Sequence, residues 1–134
     1  MVKDLILVSH GHFSEELKKS TEMIMGPQEN IHAVGLLPEE GTEDFEAKLV
    51  DVLKDLDDYV VLADLMGGTP CNVASRLLMQ GYDFELFAGM NMPMVIGFIN
   101  SSLVGEAIDL KAFGADNIHR INDVLTALDD DDEE

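Results

Sequence analysis

Apolar runs along the chain alternate with segments of helical periodicity, and together they predict an α/β protein. A continuous apolar run is typical of a strand buried on both faces, whereas apolar residues three or four positions apart lie on one face of a helix. The predicted strands cover residues 5–8, 31–37, 59–63 and 84–88. The helices that follow them are predicted to begin at Ser14, Thr42, Pro70 and Pro93.

Short polar side chains mark the starts of three of these helices, because they can accept hydrogen bonds from the free N–H groups of a first turn. The predicted N-caps are Ser14, Thr42 and Thr69. The pattern weakens after residue 104, where we expect a helix over residues 105–113 and a short strand over residues 118–121.

The repeated β-α order predicts a three-layer α/β/α sandwich around a parallel sheet, because crossovers between parallel strands are right-handed. In such folds functional groups gather beyond the carboxyl ends of the strands. The polar or glycine-rich segments at those ends are residues 9–12, 64–69 and 89–93.

His10 and Asp64 each follow a predicted buried strand and are the candidate catalytic pair. A neutral imidazole is a competent nucleophile when its tautomer is fixed and the attacking nitrogen is exposed. A carboxylate on the other ring nitrogen fixes the tautomer and stabilises the positive charge that develops. The two side chains meet only if the first and third strands are neighbours.

A second element of the predicted site is the turn Gly67-Gly68-Thr69 before the third helix. It offers backbone N–H groups at a helix N-terminus, which attract anions, and Thr69 adds a hydroxyl. With Gly11 giving open backbone beside His10, the pattern predicts phosphoryl chemistry on a histidine. The turn lacks a P-loop pattern, and a phosphohistidine carrier needs neither ATP nor a metal, so we expect no cofactor.

A metal site is the competing interpretation of this edge. His10 and His12 alternate along an extended segment and share a face. Asp64 could serve as a third ligand, but His32 and His119 lie on other segments and Cys71 is predicted inside a helix. Cys71 is expected to be a bystander thiol. We therefore predict no metal site.

Length, net charge and cysteine content indicate the number of domains, the kinds of partner and the cellular compartment. The 134 residues suit one domain, assigned to residues 1–128, followed by an acidic tail over residues 129–134 that we expect to be disordered. The net charge of −19 disfavours nucleic acid and anionic membranes and favours a basic partner. One cysteine, no signal peptide and no long apolar run predict a cytoplasmic protein without a membrane span.

Three blocks in register resemble the mannose-type enzyme IIA proteins of the bacterial phosphoenolpyruvate-dependent sugar phosphotransferase system. The blocks are ILVSHG at residues 6–11, DLMGGTPCNVAS at residues 64–75 and GMNMPM at residues 89–94. The third block adds Asn91 and Pro93 as residues of a loop near the site.

The resemblance implies that His10 accepts a phosphoryl group from phospho-HPr on Nε2 and passes it to a cognate enzyme IIB, while Asp64 hydrogen-bonds the ring. It places Gly11, Gly67, Gly68 and Thr69 around the phosphate. It further implies strand order 2-1-3-4 and a homodimer that exchanges an antiparallel fifth strand, for which residues 118–121 are the candidate. The membrane components IIC and IID would then be indirect partners, and the acidic end predicts a free-standing subunit.

Three alternatives stay open at this point. The first is the phosphotransfer subunit of a dihydroxyacetone kinase, which resembles this family in fold. The others are a non-catalytic module that binds a phosphorylated ligand at the anion site, and a His/Asp metalloenzyme. The sequence does not indicate which sugar is imported.

Overall fold

The computed structural model describes residues 3–132, in which helices flank a single sheet. The strands are β1 (Asp4–His10), β2 (Ile31–Leu36), β3 (Tyr59–Ala63) and β4 (Glu85–Ala88). The helices are α1 (Phe13–Met25), α2 (Thr42–Leu53), α3 (Thr69–Met79), α4 (Met92–Val104), α5 (Leu110–Asp116) and α6 (Ile121–Asp132).

The sheet has strand order β2-β1-β3-β4 and every pairing is parallel. Its two central strands, β1 and β3, are buried on both faces because helices cover each side. One apolar cluster joins the sheet to α2 and α3, and the other joins it to α1, α4 and α5. This confirms the predicted three-layer α/β/α architecture and makes β1 and β3 neighbours.

The helix N-termini differ in detail from those predicted. Ser14 lies inside α1, whose N-cap is His12, and its backbone N–H donates to the Ser9 hydroxyl at 2.8 Å. The N-caps of α2 and α3 are Gly41 and Gly68, each one residue before the predicted threonine. The predictions were wrong here because short polar residues are also accommodated in a first helical turn, where their backbone is already helical.

The C-terminal part of the chain departs most from the prediction. The helix expected over residues 105–113 is α5, which begins only at Leu110. The segment 118–121 is not a strand in the described chain: residues 118–120 form a loop, and Ile121 is the first residue of α6. Its apolar residues are three positions apart and continue into an apolar stripe with helical spacing, so the local pattern suits a helix.

Helix α6 was not predicted, and it includes residues 129–132 of the tail that was expected to be disordered. Residues 133 and 134 lie outside the described part. A strand exchanged between two chains stays a prediction, because the structure holds one chain. No helix in residues 3–132 is long and apolar enough to cross a membrane.

Candidate active site

The carboxyl ends of β1 and β3 bring His10 and Asp64 into direct contact. One oxygen of the Asp64 carboxylate, Oδ2, lies 2.8 Å from His10 Nδ1 and accepts the backbone N–H of His10 at 2.9 Å. The other oxygen accepts the N–H of Leu65 at 2.9 Å. The Asp64 backbone is itself fixed, because its N–H continues the β1–β3 hydrogen bonds by donating to Val8 at 3.1 Å.

The environment of Asp64 decides the tautomer of His10. Burial raises the pKa of the Asp64 carboxyl, but hydrogen bonds from the His10 backbone, the His10 ring and Leu65 together outweigh it, so the pKa lies below its ordinary value. The carboxylate is therefore ionised near neutral pH and can only accept hydrogen bonds. His10 Nδ1 must carry the hydrogen that it donates to Asp64, which leaves the lone pair of a neutral ring on Nε2.

The Nε2 side of the ring faces the start of α3. A Cβ added to Gly68 would lie 2.6 Å from His10 Cε1 and 3.2 Å from Nε2, so the backbone of Gly68 lies directly against this edge of the ring. Gly68 is the N-cap of α3, and Thr69 begins the helix with Pro70 in the first turn. The first-turn N–H groups and the helix dipole give this end a partial positive charge beside the imidazole.

Gly11 and Gly67 shape the two turns that approach each other here. Both have positive φ angles, 53° at Gly11 and 90° at Gly67, which favour glycine. The side chain of Asn72 lies behind the second turn, and its amide nitrogen is 3.4 Å from the Gly67 carbonyl. Of the predicted residues, Gly11 follows His10 directly, Gly67 and Gly68 form the turn before α3, and Thr69 begins that helix. Gly68 is the one whose backbone lies against the His10 ring.

Asn91 and Pro93 lie at the start of α4, directly after the loop that follows β4. The Asn91 side chain accepts the Met94 N–H at 3.0 Å as the N-cap of α4 and donates to the Gly114 carbonyl at 3.1 Å. Pro93 lies in the first turn of α4. The two hydrogen bonds of Asn91 connect the start of α4 to α5 at this edge of the sheet.

The remaining histidines and the cysteine lie in separate environments. The His12 ring pairs with Glu15 at 3.2 Å, and His32 pairs with Asp4 at 3.0 Å. His119 is exposed in the loop before α6, and Cys71 is buried within α3. Within residues 3–132 no three His, Cys, Asp or Glu side chains form a group that could hold a metal ion.

One structural residue at this edge, Gly35 of β2, is absent from those predicted. The carbonyl oxygen of Gly11 occupies the space that a side chain on Gly35 would need. The sequence signal for it was a single glycine inside a predicted strand, which often marks a close backbone approach.

The fold and this edge define an α/β protein in which a carboxylate-oriented imidazole faces a helix N-terminus. The chain matches the family EIIA-man, described as the PTS system fructose IIA component, over residues 4–112. It is 35% identical over 95 residues to the PTS system mannose-specific EIIAB component of Escherichia coli, covering 69% of this chain and 29% of that protein. It is 30% identical over 95 residues to the PTS system sorbose-specific EIIA component of Lacticaseibacillus casei, covering 69% of each.

A solved structure extends the similarity over most of the chain. The mannose/sorbose specific IIA subunit from Enterococcus faecalis superimposes with a TM-score of 0.78 and 34% identity, covering 90% of this chain and 95% of that one. The chain belongs to the mannose-type IIA family of the sugar phosphotransferase system. The relatives named here are PTS components described as specific for mannose or sorbose.

Proposed function

We propose that the chain is a phosphocarrier that accepts a phosphoryl group on His10 Nε2 from phospho-HPr and passes it to a cognate enzyme IIB. The observation that carries the proposal is the position of the His10 ring, with Nδ1 2.8 Å from an ionised Asp64 and Nε2 beside Gly68 at the start of α3. Family membership supports the general phosphotransfer role.

The chemistry that this arrangement supports is a direct transfer between two protein nucleophiles. The Nε2 lone pair attacks phosphorus, the bond from phosphorus to the donor breaks, and the donor keeps the electron pair. The hydrogen on Nδ1 stays on the side of Asp64, whose charge stabilises the imidazolium that forms. The N–H groups around Gly68 and Thr69 stabilise the phosphoryl oxygens, since positioning and charge dominate phosphoryl transfer.

The surroundings of His10 suit protein partners. The His10 side chain is 48% exposed, so a phosphorylated side chain of another protein can reach it. Large apolar side chains are exposed at the start of α1 and in the turn before α3, namely those of Phe13, Leu65 and Met66, and they would contact such a partner. The net charge of −19 favours encounter with a basic donor protein.

The direct test is incubation with phosphoenolpyruvate labelled in its phosphoryl group, enzyme I and HPr. We expect one label per chain, labile to acid and stable to alkali as phosphohistidine is, and its transfer to enzyme IIB when that protein is added. His10→Ala should abolish labelling, whereas His119→Ala, which removes an exposed histidine far along the chain, should keep it.

Two results would contradict the proposal. One is an unlabelled chain in a mixture where HPr itself becomes labelled. The other is label that survives His10→Ala and is lost in His12→Ala, which would move the phosphorylated nitrogen to the neighbouring histidine. An unlabelled chain whose thermal midpoint rises with a phosphate compound would instead indicate a non-catalytic module.

A further inference from the structure

The turn that follows His10 rests on the end of β2. The Gly11 N–H donates to the carbonyl of Leu36 at 2.7 Å, and the Gly11 carbonyl lies against Gly35. Gly35 is buried, and any Cβ there would overlap the Gly11 carbonyl group, which belongs to the backbone and cannot rotate away. Residue 35 must therefore be glycine for the turn to lie at this height above the sheet.

Asp64 holds the other side of the same turn. Its Oδ2 atom accepts both the backbone N–H and the ring Nδ1–H of His10. His10 is thus fixed between β3, through Asp64, and β2, through Gly11. Since both bonds of His10 converge on one oxygen, a shift of the His10–Gly11 peptide alters the ring hydrogen bond and the direction of Nε2 together.

A lysine on α2 fixes the strand beneath the turn. The Lys48 ammonium donates to the Gly35 carbonyl and to Glu40 Oε1, the latter at 2.7 Å. The same Glu40 oxygen accepts the N–H of Leu37 at 2.8 Å. These bonds tie the last residues of β2, including Gly35, to α2.

We propose that Gly35 is a positioning residue for His10, and that Lys48 supports it from α2. The contacts run from the Lys48 ammonium to the Gly35 carbonyl, from Gly35 to the Gly11 carbonyl, and from Gly11 to His10. The consequence for phosphoryl transfer rests on the proposed function, whereas the consequence for the His10 ring does not.

The test compares Gly35→Ala with Gly41→Ala by nitrogen NMR of the imidazole rings. Gly41 is the matched control: it precedes α2 with φ of −104°, and a Cβ added there would have Asp44 Oδ2 as its nearest neighbour, at 4.0 Å. We expect wild type and Gly41→Ala to hold the His10 hydrogen on Nδ1, and Gly35→Ala to show mixed tautomers and an altered His10 titration. Phosphoryl acceptance should fall about a hundredfold in Gly35→Ala, as expected for a displacement of about 1 Å.

A second variant keeps the test decisive if Gly35→Ala does not fold. Lys48→Met removes the ammonium from the Gly35 carbonyl but leaves the space above Gly35 unchanged, so we expect the same change in His10 to a smaller degree. A purely structural role would lower the thermal midpoint and leave the His10 tautomer and titration as in wild type.

A folded Gly35→Ala protein in which the His10 tautomer and titration are the same as in wild type would overturn the proposal. If Gly35→Ala does not fold, the same observation in Lys48→Met would overturn it. If the wild-type chain accepts no phosphoryl group, the proposed function fails, and the NMR comparison still decides whether Gly35 positions His10.

Discussion

At the scale of single residues, the Asp64 carboxylate receives three N–H groups. Two come from His10 and one from Leu65, and together they lower the pKa of Asp64 against the opposing effect of burial. A carboxyl whose pKa is lower in the folded than in the unfolded chain contributes stability above the unfolded pKa. That contribution is lost as the pH falls through the folded pKa.

We therefore expect wild type to have a higher free energy of unfolding than Asp64→Asn near neutral pH. The difference should shrink as the pH falls below 3.8, the ordinary pKa of an aspartate. The measurement is urea unfolding of both proteins between pH 7 and acid, because the difference between them isolates Asp64 from Glu22 and Glu40, whose pKa values are also lowered. Asp57→Asn, at an exposed position, is the control substitution. A wild-type to Asp64→Asn difference that is constant with pH would contradict this account.

Gly68 gives a second prediction at this scale, because its backbone lies against the reacting edge of His10. The φ angle of Gly68 is −92°, which alanine adopts readily, so Gly68→Ala should fold. Its methyl group would nevertheless come within 2.6 Å of Cε1 and force the ring to tilt. We expect phosphoryl acceptance to fall about tenfold or more, with a loss of stability of about 1 kcal/mol or less.

The matched control for Gly68→Ala is Gly41→Ala, since Gly41 is also the N-cap of a helix and has room for a methyl group. The two measurements are the initial rate of labelling and the thermal midpoint. Equal labelling rates for the two variants would show that the His10 ring tolerates the methyl group. That outcome would contradict the close contact between Gly68 and the ring.

At the scale of elements, Asn91 joins two helices to the functional edge of the sheet. Its side chain caps α4 and also binds the Gly114 carbonyl in α5. Asn91→Ala should lower the free energy of unfolding by about 1–2 kcal/mol, because it removes an N-cap together with a second hydrogen bond. Urea unfolding measures the loss, and Asn100→Ala, at an exposed position on α4, should change stability by less than about 0.5 kcal/mol.

The central strands were predictable because each contains a continuous apolar run, which is typical of a strand buried on both faces. The run 59–63 predicts β3 residue for residue, and the run 5–8 is the middle of β1. Both strands are covered on two faces, so the two runs are apolar at every position, as expected for a strand inside a parallel sheet. The C-terminal segments were not predictable in the same way, because their apolar residues are mostly exposed and the tertiary contacts that would define them are few.

For the candidate site, the sequence pattern identified the residues but did not show that the strands that carry them, β1 and β3, are neighbours. Local patterns place His10 and Asp64 at strand ends, yet only the order β2-β1-β3-β4 puts those ends side by side. Strand order depends on how helices pack across the sheet, which periodicity does not encode, and here the family resemblance implied it. Gly35 was missed for a related reason, since its partner Gly11 is distant in sequence.

At the scale of the whole molecule, two surfaces are left uncovered within residues 3–132: the outer edge of β4 and the apolar side of α6. Strand β4 is at the end of the sheet order, and grooves of about 860 and 410 Å³ lie along it. Helix α6 exposes a stripe of large apolar side chains on a helix that packs little against the sheet. The stripe consists of Ile121, Val124, Leu125 and Leu128.

An open strand edge and an exposed apolar helix both favour association, because each leaves groups that a second chain can satisfy. We therefore expect a homodimer in which the C-terminal segment of each chain covers β4 of the other. Sedimentation equilibrium should give twice the 14.7 kDa mass of the chain, and Leu125→Asp should shift it toward the monomer. Asn122→Asp adds the same charge to α6 without removing an apolar side chain and should remain dimeric. A monomeric wild type, or a Leu125→Asp protein as dimeric as wild type, would rule out this use of α6.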